Sequence, residues 1–364
     1  IGAPLTGAIP PLATWPADLR AAVSGGTLLV AGGAEYDGRP SAALDTDAIA
    51  RFLSPLAGRV QAVAVTSVFA PVAAAHEYEA ADVARRIIGD VRVSLSHDIG
   101  TIGLLERENA TVLNATLAGV SERVGRVVRE VLTGHGIEAD LFLAQNDGTL
   151  LAVERAVDFA ALVVGSGPAT SMRGAAHLSG IADAVVVDAA ATGVHVGILD
   201  LGTPRTVGGP VDVGGVRVAV PMTRVRELPL TRPEVDAAAM ADAVRWAMDT
   251  IAPATLLAVG EASYLVPESL PGVAEVIKPR NAEVAAAIGA ALAPVSATAE
   301  RICSDRPDVL SAARVDAREG ALAMAIHAGA DPRAAEIVAV EEIPISYLVD
   351  PAIRIRVRAA GPTG

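Results

Sequence analysis

The sequence predicts an α/β fold in which mixed sheets are flanked by helices. Three observations carry that expectation. Short apolar runs of strand length alternate with longer segments whose apolar residues recur at helical spacing. The stretch 141–205 reads as strand, loop, helix, strand, glycine-rich break, helix, strand, tight turn and returning strand. Segment 106–132 contains at least one long helix with an apolar stripe.

Taken in order, residues 1–25 are punctuated by proline, with a helix expected at 16–23 and a strand at 27–30. Asp37-Gly38 marks a turn. Asp45 or Thr46 caps a helix running to about 56, and 60–65 makes a buried strand. A helix at 71–88 has an acidic and arginine-rich outer face, to which His76, Glu77 and Glu79 belong. Strand 91–95 leads into a loop carrying His97 and Asp98 and ending at Gly100 and Gly103. His97 is read there as a loop histidine bonded to backbone; a base or ligand role is the alternative, with Asp98 raising its pKa.

Residues 159–164 form a short apolar run, followed at once by Gly165-Ser166-Gly167-Pro168. Proline suits the first position of a helix, and Gly180 suits its left-handed stop. Free N–H groups at that helix start make an anion site conceivable. Strand 184–187 is closed by Asp188. Short strands then reach 220, and helices are expected at 234–250, 281–293 and 315–328. Further strands are expected at 255–259, 337–340 and 353–357.

The chain of 364 residues is long enough for two or three domains. Its net charge of −13 disfavours nucleic acid, and no basic block offsets it. Apolar residues reach 52%, yet no run of 18 suggests a membrane span, and no charged-then-apolar secretory leader is expected. Cys303 is the single cysteine, which excludes an internal disulfide or a thiolate zinc cluster. A cytoplasmic protein is the economical expectation. The first residue is Ile, so the sequence can be part of a longer one.

The pattern Gly165-x-Gly167-x-x-Thr170 after a strand, with Asp188 ending the next, loosely imitates a dinucleotide-binding unit. It lacks the third glycine and holds a proline. Ser166 does not stand in a G-x-S-x-G elbow. By pattern alone, these glycines simply permit a tight strand-to-helix turn.

The motifs QNDGT (145–149), SGPATSMRGAAHLSG (166–180) and VVVD…GVHVGIL (185–199) go further. With GGAEYDGR (32–39), SVFAPVAAAHEYEAAD (67–82), SLSHDIGTIGLLERENATVLNA (94–115), LPGVAEVIKPRNAEVAAAIGAA (270–291) and EEIPISYL (341–348), the chain resembles the hydantoinase A/5-oxoprolinase family. The resemblance runs in order over nearly the whole length. It implies an actin-like ATPase (ribonuclease H-like) architecture and ATP-driven opening of cyclic amides such as hydantoins or 5-oxoproline. ATP and Mg²⁺ are the implied cofactors, and a B-type hydantoinase subunit or a homodimer the implied assembly. The expected division is an N-terminal α/β domain at 1–135, a core domain at 136–300 and a small α/β appendage at 301–364.

Against the family pattern, the N-terminal phosphate hairpin, expected near a family-type start, is expected to lie outside this chain. The second hairpin, D-x-G-G-T-x-T-D-V-G in similar proteins, reads Asp188-Ala189-Ala190-Ala191-Thr192-Gly193-Val194-His195-Val196-Gly197. Two glycines that would let backbone N–H groups reach phosphate are alanines, and an aspartate is His195. The adenosine-side loop is Gly260-Glu261-Ala262-Ser263. On this footing Asp147, Asp188 and His195 are the candidate catalytic residues, with Asp188 and His195 the candidate metal ligands. Ser166, Gly167, Thr192, Gly193, Gly260 and Ser263 are the candidate cofactor contacts. A non-catalytic scaffold or regulatory subunit that has lost the ATP site is the alternative.

Overall fold

The computed structural model describes residues 1–4, 6–100, 103–190, 193–229, 237–248, 254–345 and 351–364. The chain opens with α1 (Ala17–Val23), α2 (Thr46–Leu53), β1 (Ala62–Val65), α3 (Ala75–Ile88), β2 (Arg92–Leu95), the single turn α4 (Ser96–Ile99) and the long α5 (Leu104–Gly134). It continues through β3 (Phe142–Ala144), β4 (Leu150–Ala152), α6 (Val153–Ala156), α7 (Gly167–Ser179), β5 (Ala184–Ala190), β6 (Gly193–Asp200) and β7 (Thr203–Pro204). Then come β8 (Val211–Val213), β9 (Val216–Val218), β10 (Val225–Leu228), α8 (Ala237–Ala247), β11 (Ala254–Val259) and β12 (Val273–Ile277). The last elements are α9 (Ala285–Leu292), β13 (Val295–Ser304), α10 (Pro307–His327), β14 (Glu336–Ile345) and β15 (Ala352–Gly361).

One mixed sheet runs β10-β6-β5-β11-β12, with β7 added to β6. Strands β10, β6 and β5 pair antiparallel, while β5, β11 and β12 pair parallel. Both faces of β5 are covered, which is why it reads as a near-continuous valine run. Val185 and Val187 pack with Met240 and Val244 on the α8 side; Val186 packs with Met172 and Ala175 on the α7 side. A second sheet runs β14-β15-β13-β4-β3. On β15, Ile355, Val357 and Ala359 point into the core beneath α10, and the alternating Arg354, Arg356 and Arg358 share the opposite face. The N-terminal part has its own core, built from Ile49, Leu53, Val65, Val83 and Leu95.

Helix α7 crosses α9 at unusually short range because both present glycine at the contact. A Cβ built on Gly174 would lie 1.9 Å from the Ala285 carbonyl oxygen, and one on Gly289 1.8 Å from that of Thr170. Gly197 opposes α7 in the same way: its Cβ would lie 2.0 Å from Met172 Cε. The small residues of GPATSMRGA therefore let one helix sit against both a strand and another helix.

Most expected elements are present, capped as their sequence suggests. Asp45 accepts a 2.9 Å bond from the Ala48 N–H at the start of α2. Gly180 ends α7 at φ 71°. Several expectations need correction. Residues 27–30 are not a strand; the Val30 carbonyl instead accepts from Gly2 and Ala3. The run 159–164 holds only a 3₁₀ turn, Ala160–Leu162, since side-chain amides engage its backbone: Asn114 accepts from Ala161 N–H and Asn146 donates to Ala161 carbonyl. Asp188 lies inside β5 instead of closing it. The 300/301 boundary falls within β13, which pairs with β15 over its full length and touches β4, so 301–364 completes a shared sheet. No described helix is long and apolar enough to cross a membrane.

Candidate active site at the β5–β6 hairpin

The carboxyl ends of the parallel strands β5 and β11 lie side by side, with Asp188 in register with Val259. Open α/β sheets bind ligands outside such strand ends. Asp188 also stands directly opposite His195 on β6, and His195 opposite Glu227 on β10. Residues directly opposed in antiparallel strands share a face, so these three side chains form one polar row on the α7 side.

Asp188 is 4% exposed. Burial raises its pKa above the usual carboxylate value, against the pull of a hydrogen bond donated by Ser171 and the nearby His195. His195 is half-buried, and its Nδ1 is buried without a hydrogen-bond partner. Gly260 closes the other side at φ +91°; a Cβ there would lie 2.4 Å from the Ala189 carbonyl and 2.6 Å from Asp188 Oδ1. The Gly260–Ser263 turn is tied to the strand end by Ala262 N–H donating to the Ala189 carbonyl at 2.8 Å. A partly protonatable carboxylate beside an imidazole with an open nitrogen can hold a water or exchange a proton with a bound molecule.

The sequence-predicted residues thus fall into separate groups. Asp188 adjoins His195 and Gly260, Gly193 pairs with Ala190 further along the hairpin, and Ser263 begins the turn that follows. Ser166 and Gly167 start α7; the Ser166 carbonyl accepts from Thr170 N–H at 3.2 Å, one turn from Ser171. Thr192, with Ala191, lies outside the described residues. Asp147 faces another way: its Oδ1 accepts from Thr149 N–H and Oγ, and its Oδ2 lies 3.7 Å from Arg358 Nη1. Gly148, next to it, packs on Ala169 and Arg173 of α7.

The implied metal does not fit these residues. No group of three His, Cys, Asp or Glu side chains converges among the described residues. Asp188 is a desolvated carboxylate and His195 a nitrogen donor, whereas Mg²⁺ demands oxygen ligands in near-octahedral array. The phosphate cradle fits in part. Gly193 and Gly260 are present, but Ala190 places a methyl on the same strand face as Asp188, where a phosphate would approach backbone.

Neutralising Asp188 gives a stability test. A carboxyl whose folded pKa is raised destabilises the fold above that pKa, and the cost vanishes as pH falls below its unfolded value. Asp188→Asn is therefore expected to raise the thermal midpoint at pH 8 and to leave it unchanged near pH 3. A variant less stable at pH 8 would contradict this.

A second constellation, between α3, α4 and α5, escaped the sequence reading. Glu77 is fully buried and not on a solvated face. It accepts from Ser67 N–H at 2.7 Å, the Ser96 hydroxyl, His97 N–H at 3.1 Å and His97 Nδ1 at 2.7 Å. His97 is consequently bound to a carboxylate, not to backbone acceptors, and its Nε2 reaches Tyr78 Oη at 2.9 Å and Asp98 at 3.3 Å. Buried Arg107 donates to Ser96 Oγ and the Ser67 carbonyl, and burial lowers its pKa to about 10. The signal was available: Glu77 shares a helical face with Ala81 and Ala84, both buried.

The comparisons agree with this picture. The hydantoinase/oxoprolinase N-terminal region model matches residues 16–88 and the hydantoinase/oxoprolinase model matches 107–230, together more than half of the chain. The latter match runs across the expected 135/136 boundary. No curated protein matches the sequence. Among solved structures, the ATP-dependent caprolactamase from Pseudomonas jessenii is similar at a TM-score of 0.70 and 16% identity, over 91% of this chain and 69% of that one. The nucleotide-free structure of acetone carboxylase, which carries out ATP-dependent acetone carboxylation, is similar at a TM-score of 0.63 and 13% identity, over 92% and 69%. By its two family-model matches, the chain belongs to the hydantoinase/oxoprolinase family.

Proposed function

We propose that the chain is a hydrolase subunit that opens a cyclic amide, with ATP as the coupled cofactor and Asp188 and His195 as the reacting polar pair. The observation that carries the reading is that pair, set at parallel strand ends beside the start of α7 and the Gly260 turn, in a family chain. The strand order β10-β6-β5-β11-β12, three antiparallel strands continued by two parallel ones, supports an actin-like (ribonuclease H-like) core. Asp188, poised by burial and by Ser171, would accept a proton from an attacking water, and His195 would orient it. ATP would meet Gly167, Gly193, Gly260 and Ser263, and supplies the driving force for C–N cleavage.

Assembly belongs to the same proposal: a B-type subunit or a second copy of the chain. Val120, Val124, Val127 and Val131 support it, being exposed at heptad spacing along α5. The scaffold alternative has no observation in its favour beyond the altered glycines.

The test is ring opening of hydantoin, 5-oxoproline and caprolactam with ATP, for the chain alone and with a B-type subunit. Asp188→Asn is expected to lower the rate by about 10²-fold or more. A rate untouched by that change removes Asp188 from the chemistry. Nucleotide affinity is a separate expectation. With Ala190 and Ala191 in place, the chain alone binds ATP–Mg²⁺ weakly, and combining Ala190→Gly, Ala191→Gly and His195→Asp strengthens it. Calorimetry giving a micromolar Kd for the unaltered chain would contradict that.

A further inference from the structure

Among the described residues, Arg173 is a cation without a counterpart. It lies on the face of α7 that meets the Asn146-Asp147-Gly148 turn, where a Cβ on Gly148 would come within 3.1 Å of its Nε. That Nε is buried with no hydrogen-bond partner, and among the described residues the guanidinium makes no hydrogen bond or ion pair. Arg358 comes from the polar face of β15, and its ion pair is the loose one to Asp147 Oδ2 at 3.7 Å. Asp147 Oδ1 is already occupied by Thr149. Burial lowers the Arg173 pKa, with nearby Asp147 opposing and Arg358 adding to the effect. The unmade Nε donor leaves a desolvation cost uncompensated.

We propose that Arg173 and Arg358 form a binding site for the carboxylate of a small monoanionic ligand, with Asp147 limiting the charge it accepts. Two guanidiniums and one carboxylate leave a single positive charge, which a monoanion balances. A phosphate dianion would overshoot it and meet Asp147 at close quarters. The planar fork of a guanidinium matches a carboxylate in bidentate fashion, and the Nη atoms of Arg173 carry such a fork without a protein partner among the described residues. The site lies on a different face of α7 from Ser171 and Asp188. It stands on its own geometry, whatever the outcome of the ring-opening assay.

The experiment measures the thermal midpoint of the full chain against acetate, inorganic phosphate and chloride at constant ionic strength. Acetate is expected to raise the midpoint by about 2 °C at roughly tenfold its Kd, and phosphate and chloride by less. Arg173→Met is expected to abolish the acetate response and, without acetate, to melt above the unaltered chain, because it removes a half-buried charge whose Nε has no partner. Arg173→Lys keeps the charge but loses the fork, and with it the preference for acetate over chloride. Equal responses to the three anions, or an acetate response that survives in Arg173→Met, would overturn the proposal.

Discussion

Gly289→Val is expected to cost about 3 kcal/mol or more, because the added side chain meets backbone and not a movable side chain. The Thr170 carbonyl would lie 1.8 Å and the Gly174 nitrogen 2.7 Å from its Cβ. Intrinsic helix propensity pulls the other way, since replacing a helical glycine gains at most about 1 kcal/mol. The clash wins, and α7 and α9 must separate or one of them must unwind. Gly119→Ala on α5 is the control: nothing lies within 4 Å of that Cβ, so only the propensity gain remains. Urea denaturation of the two variants should move in opposite directions. Equal midpoints would mean that the helices are not held at this distance. Because α7 also carries Ser171 and Arg173, Gly289→Val should disturb both polar sites together.

Arg107→Met is the second change with a large expected effect. It leaves the fully buried Glu77 facing His97 and neutral donors, without the guanidinium that shares Ser96 with it. Leaving the buried Ser67 carbonyl without its charged donor and Glu77 without the nearby positive charge costs about 1–3 kcal/mol or more. Glu77→Gln separates the histidine part of that network. Burial pulls the His97 pKa down, but the Glu77 hydrogen bond with the charges of Asp98 and Glu77 outweighs it, so the pKa is raised. A raised histidine pKa stabilises the fold fully below its unfolded value and ceases to do so as pH rises through the folded one. The stability gap between the unaltered chain and Glu77→Gln should therefore narrow across that interval. In an NMR titration, His97 of the variant should titrate at lower pH. A His97 titration identical in both proteins would place its proton elsewhere.

How much of this was legible depended on whether the determining contacts were local. The apolar runs of β5 and β11, the Asp45 cap, and the Pro168 and Gly180 boundaries of α7 follow from local rules, and the structure has them. Residues 27–30 and 159–164 carry strand-like composition, but their backbone groups bond to Gly2, Ala3, Asn114 and Asn146, partners that no short window contains. The pairing of Asp188 with His195 was within reach, being the register of a tight hairpin. Its extension to Glu227 needed β10, and the meeting of Arg173 with Arg358 joins residues on opposite halves of the chain. Glu77 was misplaced because a run of acidic and arginine residues masked the one carboxylate that turns inward.

The sheet β14-β15-β13-β4-β3 also sets an order of events during synthesis. Leu150 of β4 takes Val295 of β13 as its parallel neighbour, and β13 in turn needs Ala352–Gly361 of β15. At about 5–20 residues per second, a ribosome needs roughly 10–40 s to pass from β4 to the end of β15. Until β13 emerges the free edge belongs to β4, and from then until β15 emerges it belongs to β13, each able to pair with other chains. The β5–β6 hairpin, closed between adjacent segments, can form as soon as it emerges. The nascent chain is therefore most exposed to aggregation after its candidate active site has assembled, and that risk ends only with its last strand.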